Sequence, residues 1–317
     1  MKNRALVWVL VAVAITVVLA CGSAGMAALV LMARAGATPA TPNGVAVLEA
    51  KGAIVYGAGI VGLRDSTLIY SDELVAAIKR ADSDPAVSAI VLDVNSPGGS
   101  VVGSVDIYNA LLATGKPVVT SMGEVAASGG YYIACASQYI LARPSTITGS
   151  IGVISQYTNI SELADALGIQ VQTIKTGAYK DQGSLYRPLN EEELALLQAI
   201  LDEAYEEFVA VIARGRDLPR RMVRPLADGR ILSGRQAVDA GLVDALGNLD
   251  DAIKAAAEMA GIVGEPQVIR YDRQPDLFSL LPRFGLGSAT NAELALLERV
   301  LGTPEAPSLQ YLYTGHK

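Results

Sequence analysis

From residue 45 onward, short apolar runs alternate with segments whose apolar positions recur every three or four residues. Residues 45–50 (Val-Ala-Val-Leu-Glu-Ala) and 53–56 (Ala-Ile-Val-Tyr) predict two strands about a Lys-Gly turn. Residues 71–80 predict an amphipathic helix stopped by Asp84-Pro85, and 89–94 a short buried strand running into Asn95-Ser-Pro-Gly-Gly-Ser100. A helix over about 103–114, a strand over 118–122 and a small-residue helix after Ser128 follow. A second round then predicts strands at 139–142, 148–154 and 171–174 with a short helix near 160–167. Strands alternating with helices in this way predict an α/β domain with largely parallel pairing. From Asn190 a long helix is expected to about Arg214, opened by an Asn190/Glu193 capping box. Its apolar stripe is Leu194, Leu197, Ile200, Leu201, Ala204, Phe208 and Ile212. Helices at about 234–240 and 250–261 are joined through Gly241-Leu-Val-Asp-Ala-Leu-Gly247, and the remaining stretch is less periodic and suggests no chemistry.

One apolar run stands apart. Residues 5–33 carry no charged side chain, a length beyond the roughly 20 residues that cross a bilayer core. Lys2 and Arg4 precede it and Arg34 follows. A cleaved signal peptide has a shorter apolar region, and the run continues well past Cys21, whose Val-Leu-Ala-Cys context faintly resembles a lipoprotein cleavage site. The expectation is an uncleaved transmembrane anchor over 1–34 and a linker over 35–43. A soluble domain over 44–262, with an extension of it over 263–317, would then lie outside the cytoplasm.

Composition narrows the chemistry. The only histidine is His316, so a Ser-His-Asp triad, a Cys-His protease and a His-ligated metal site are all disfavoured. The two cysteines, Cys21 and Cys135, cannot form a disulfide framework or a Cys-rich metal site. A net charge of −7 argues against nucleic acid, and the small cluster Arg220, Arg221 and Arg224 reads as a solvated patch.

Within the frame that remains, Ser128 sits where a strand hands over to a helix start, in Ala127-Ser-Gly-Gly-Tyr-Tyr132. Backbone N–H groups there can stabilise a developing oxyanion, and small neighbours leave room for a substrate. A plain helix-capping serine is the alternative. If Ser128 is a nucleophile, its base must be a lysine or a carboxylate. Of the eight lysines, Lys175 and Lys180 fall in a glycine-bearing loop where catalytic groups are displayed. Lys2 and Lys317 are at the ends, Lys79 and Lys254 lie on polar helix faces, and Lys51 and Lys116 lie in turns. Asp181 beside Lys180 would oppose a base role if the two paired. The Asn95–Ser100 stretch can turn backbone N–H groups toward a ligand, or be an ordinary Pro-Gly turn.

Five segments together resemble the signal peptide peptidase A family of Ser/Lys proteases: Asn95-Ser-Pro-Gly-Gly-Ser100, Ala127-Ser-Gly-Gly-Tyr-Tyr132, Thr148-Gly-Ser-Ile-Gly-Val153, Thr176-Gly-Ala-Tyr-Lys-Asp181 and Gly241-Leu-Val-Asp244. The resemblance covers about residues 45–262. It implies Ser128 as nucleophile, Lys180 as general base and Ser150 as the serine that orients the lysine. Either Gly98 or Gly99, with Gly129, would supply the oxyanion hole. It implies a ClpP/crotonase-like spiral of ββα units, a membrane-anchored ring- or dome-shaped homo-oligomer with sites shared between protomers, and signal-peptide remnants as substrates. No metal or organic cofactor is implied. A ClpP-like membrane protease of stomatin-type substrates, a crotonase-fold acyl-CoA enzyme and a silent membrane scaffold are the rival readings.

Overall fold

The computed structural model describes residues 43–59, 65, 67–271 and 310–312, all within the unit Asn43–Lys317. In chain order the elements begin with β1 (Gly44–Lys51), β2 (Ala53–Val55), β3 (Leu68–Tyr70), α1 (Ser71–Ser83), β4 (Val87–Ser96), β5 (Gly98–Ser100) and α2 (Val101–Leu112). Next come β6 (Val118–Ala127), α3 (Gly129–Ala134), β7 (Tyr139–Ala142), β8 (Ile147–Gly149), α4 (Ser161–Ala166), α5 (Glu191–Gly215) and α6 (Arg220–Val223). The last are β9 (Ile231–Ser233), α7 (Gly234–Asp239), β10 (Ala245–Leu246), α8 (Leu249–Met259), β11 (Gln267–Arg270) and β12 (Gln310–Leu312). The alternating α/β pattern is the one the periodicity predicts.

The main sheet has the order β10-β7-β6-β4-β1-β11, with every neighbouring pair parallel. Its central strands are apolar on both sides because both faces are covered. Val45, Val47, Ala89, Val91, Val119 and Leu141 pack against Ala252, Ile253, Ala256 and Ala257 of α8. The opposite face, with Ala46, Leu48, Ile90 and Leu92, packs against α1, α2, α3 and the C-terminal part of α5. A second, four-stranded sheet has the order β12-β5-β2-β3, with β12 antiparallel to β5.

Several local expectations change. The predicted 118–122 strand continues to Ala127, because a bulge beside Val94–Ser96 lets its far half leave β7 and pair with β8. The expected Pro-Gly turn places Gly98–Ser100 in a strand between β2 and β12. The 148–154 strand stops at Gly149, since Ser150 turns to φ 49°. Residues 171–174 form no strand; Ile174 is 94 % exposed, so its alternation has no sheet face to cover. The capping box of α5 forms as predicted. Its stripe is buried only from Phe208 onward, however, and Leu194 and Ile200 are exposed. Near the other end, β11 extends the main sheet beside β1, and β12 joins the second sheet.

The membrane expectation is corrected. Residues 1–34, with Cys21 and most of the 35–43 linker, lie outside the described residues. Among the described residues no helix is long and apolar enough to cross a membrane. The longest, α5, opens on Glu191, Glu192 and Glu193 and carries Arg214 in its last turn. The single-pass anchor, the membrane localisation and the extracytoplasmic placement that followed from it are withdrawn.

Candidate active site

Ser128 is the single residue between β6 and α3, at φ 53° and ψ −117°, a backbone conformation unusual for a side-chain-bearing residue. Its neighbours force it there: its N–H donates to Gly149 O at 2.9 Å, and its own carbonyl accepts from Tyr132 N at 2.8 Å. Although Ser128 occupies the N-cap position, its hydroxyl makes no capping bond. The side chain is buried, and its Oγ has no hydrogen-bond partner among the described residues. A capping serine spends its hydroxyl on the helix start. This one holds it in reserve, in a conformation costing about 1–3 kcal/mol.

Around it the chain is stripped of side chains for a steric reason. A Cβ on Gly98 (φ 98°) would stand 2.5 Å from Gly129 N, and one on Gly129 would meet Ser104 Oγ at 2.6 Å and Gly99 N at 3.2 Å. Three glycine backbones therefore converge beside Ser128. The Gly98 N–H already donates to Ser96 Oγ at 3.1 Å.

Ser150 is brought close through the β6–β8 pairing. It follows Gly149, the acceptor of the Ser128 N–H, and its own N–H donates to Arg230 O at 2.7 Å. It lines an open cavity of about 610 Å³ shared with Ile154, Gln198, Leu201 and Tyr205.

Lys180 lies elsewhere in character. It is exposed, between α4 and α5, and no hydrogen bond or ion pair joins it to Ser128 or to any other described residue. Asp181 does not pair with it. That carboxylate is taken by the Arg187 guanidinium (2.6 Å) and by Lys175 Nζ (2.6 Å), and these hold it well below the usual carboxylate range. Lys175, the alternative base, is thereby spent on an ion pair. Arg187 also grips Glu193 (2.6 Å), whose carboxyl is held down to about 2, first by Arg187 and then by the Asn190 N–H.

The Gly241–Asp244 motif proves to be a clamp. Leu242 O accepts from the buried Tyr131 hydroxyl at 2.8 Å, and Asp244 accepts from Ile140 N at 2.7 Å while pairing with Arg216. This pins α3 to β7 behind Ser128. Burial pushes the Cys135 thiol up to about 12, so it stays protonated and is no rival nucleophile.

Sequence reasoning gave no site role to Tyr132, Phe208 or Tyr311, whose rings meet beside the glycines (4.6 to 5.1 Å between centroids). Only the spacing of Ala204 and Phe208 along α5 hinted at a shared wall; nothing linked it to residue 311.

A self-contained strand-to-helix serine with converging glycine N–H groups is the arrangement of a serine hydrolase. Comparison with known proteins agrees. The model of "Peptidase family S49" matches residues 110–263. The chain is 41 % identical over 220 residues to "Putative protease slr0021" of Synechocystis sp., covering 69 % of this chain and 78 % of that protein. It is 36 % identical over 248 residues to "Putative signal peptide peptidase SppA" of Enterococcus faecium, covering 75 % and 72 %. It is also 39 % identical over 227 residues to "Protease 4" of Salmonella typhi, covering 70 % of this chain but 36 % of that longer protein. The chain belongs to peptidase family S49 and is a serine-type endopeptidase.

A peptide substrate fits that membership. The expectation of a ring- or dome-shaped homo-oligomer with sites shared between protomers finds no support in the described residues or in the proteins the chain resembles, and is withdrawn. Action on signal-peptide remnants at a membrane surface is withdrawn with the anchor on which it depended.

Proposed function

We propose that the enzyme hydrolyses peptide bonds through an acyl-enzyme on Ser128, with Lys180 as general base and Ser150 orienting the lysine. The observation that carries this reading is the buried Ser128 hydroxyl, unpartnered and held at positive φ beside glycine N–H groups. Oγ attacks the carbonyl carbon while the Lys180 amine takes its proton. The Gly129 N–H, with that of Gly98 or Gly99, receives the oxyanion. The protonated lysine then gives its proton to the leaving amine, and the same amine activates the water that releases the product. For this to happen, the exposed stretch around Lys180 must be brought over Ser128 in the working enzyme. Its freedom from ion pairs supports that role, since an amine held by Asp181 could not accept a proton.

The catalytic domain in this reading spans 44–262, with 263–317 an extension of it, and its fold is a ClpP/crotonase-type spiral. The repeated strand-strand-helix units and the contributions of β11 and β12 to the two sheets support both statements. Labelling with a fluorophosphonate, located by peptide mapping, tests the mechanism. Ser128 is expected to react and a Lys180→Ala variant to label far more slowly. Equal labelling of the two proteins would remove Lys180 from the mechanism, and labelling at another serine would remove Ser128.

A further inference from the structure

Lys180 has no partner among the described residues, yet the chain on both sides of it is tied down. Tyr179 donates its hydroxyl to Glu192 at 2.9 Å, and Gln182 Nε2 donates to Glu193 O at 3.0 Å. The residues around the lysine therefore hang on the first turn of α5. At the centre of this arrangement is Arg187, whose one guanidinium makes two forks. Its Nε and Nη2 donate to Asp181 Oδ2 (3.0 Å) and Oδ1 (2.6 Å). Its Nη1 and Nη2 donate to Glu193 Oε2 (2.8 Å) and Oε1 (2.6 Å). Lys175 Nζ adds a further donor to Asp181 Oδ1 at 2.6 Å.

A capping role accounts for half of this. The fully buried Glu193 closes the capping box with the Asn190 N–H (3.0 Å), and a cation beside it offsets its burial. Nothing in the cap calls for the second fork, which covers both oxygens of the carboxylate next along the chain from the amine. The consequence of that fork is electrostatic. The loop contributes Lys175, Tyr179, Asp181 and Arg187, and the first turn of α5 contributes Glu191, Glu192 and Glu193. Joined to the loop by Ile160 N donating to Leu185 O, α4 carries Glu162 and Asp165, neither of which bonds to the cluster. Lys175 and Arg187 are thus the cations set against these carboxylates. An opposite charge within about 4–6 Å favours the ammonium form of a lysine and raises its pKa. That would disarm a base which has to be neutral to take a proton.

We propose that Arg187 is a positioning residue for the base: it locks Asp181 away from Lys180 and fixes the lysine loop on α5, so that the amine comes to Ser128 free of a counterion. The inference rests on the Lys180 mechanism above and adds the residue that keeps the amine fit for it. Arg187 touches no reacting atom and acts through Asp181.

Rates of fluorophosphonate labelling and of peptide turnover, followed against pH on the full chain, test this. In wild type both rise with pH as Lys180 loses its proton. Arg187→Met frees Asp181 to hold the ammonium form. The midpoint of the rise should move up by about one pH unit, a loss of about tenfold on the rising limb, while the alkaline plateau stays within about twofold of wild type. Arg187→Lys keeps the charge without the two forks and should show the same displacement at reduced size; it reads the same quantity if Arg187→Met does not fold. Asp181→Asn added to Arg187→Met removes the carboxylate that Arg187 restrains, and should return the midpoint to its wild-type position. A loss equal at every pH, a midpoint unmoved in Arg187→Met and Arg187→Lys, or a shift that Asp181→Asn fails to reverse would each overturn the proposal and leave Lys180 as the base. Equal labelling of Lys180→Ala and wild type would remove Lys180 and this inference together.

Discussion

The two halves of the proposed dyad stand in opposite environments. Ser128 is fixed from all sides: its N–H and C=O are both bonded, its neighbours are glycines that tolerate no Cβ, and the Asp244–Arg216 clamp holds its helix. Lys180 lies on an exposed stretch whose order comes from a neighbouring charge cluster, Lys175–Asp181–Arg187–Glu193, rather than from a core. The difference teaches how such a site divides its work. The nucleophile and oxyanion donors must be preorganised to small fractions of an ångström, which a doubly covered parallel sheet can supply. The base need only arrive, and a stretch anchored at one end by ion pairs can move without unfolding the core.

The contrast can be broken at either end. The largest effect is expected from Ser128→Ala, which should lower peptide turnover by about 10³-fold or more, with Lys180→Met close behind at about 10²–10⁴-fold. The lysine change should leave stability within about 0.5 kcal/mol, since that side chain is exposed and unpartnered; melting curves beside steady-state rates check it. Arg216→Met leaves Asp244 without its cationic partner behind Ser128, and should cost about 1–3 kcal/mol in denaturant unfolding.

A titration distinguishes the charge cluster from the core. Glu193 is held at about 2, below its ordinary 4.5, by Arg187 and the Asn190 N–H. Its contribution to folding is therefore complete above about pH 4.5 and is lost as pH falls toward 2. The stability gap between wild type and Arg187→Ala should close across that window; a gap that stays constant would place the cluster outside the fold's energetics. The smaller of the stability shifts at the site itself sharpens the contrast most. Ser128→Gly should abolish activity yet raise stability by about 1 kcal/mol, because glycine relieves the positive φ.

Much of this was legible in the residues themselves. The parallel α/β pattern followed from apolar runs, and the scarcity of histidine and cysteine removed the commoner triads before any geometry was considered. The α5 capping box was readable because it is a contact between residues three apart. What resisted reading were contacts between remote segments and the faces they cover. The 171–174 stretch alternates like a strand but has no sheet to join. The Leu194–Ile200 part of the stripe is helical without being buried.

The amino-acid order alone determined the class of chemistry: a serine among small residues, a single histidine far from it in sequence, and a glycine pair after a buried strand. Only the tertiary structure decided that Ser128 declines its capping role, that Gly98 spends its N–H on Ser96, and that Tyr311 lies against the glycines beside the nucleophile. The reason is physical. Residue type and local spacing set which groups are present and which turns they permit. Which hydroxyl is left unpaired, and which strand comes to lie beside its glycines, depends on hydrogen bonds between strands that the chain brings together from more than half its length apart.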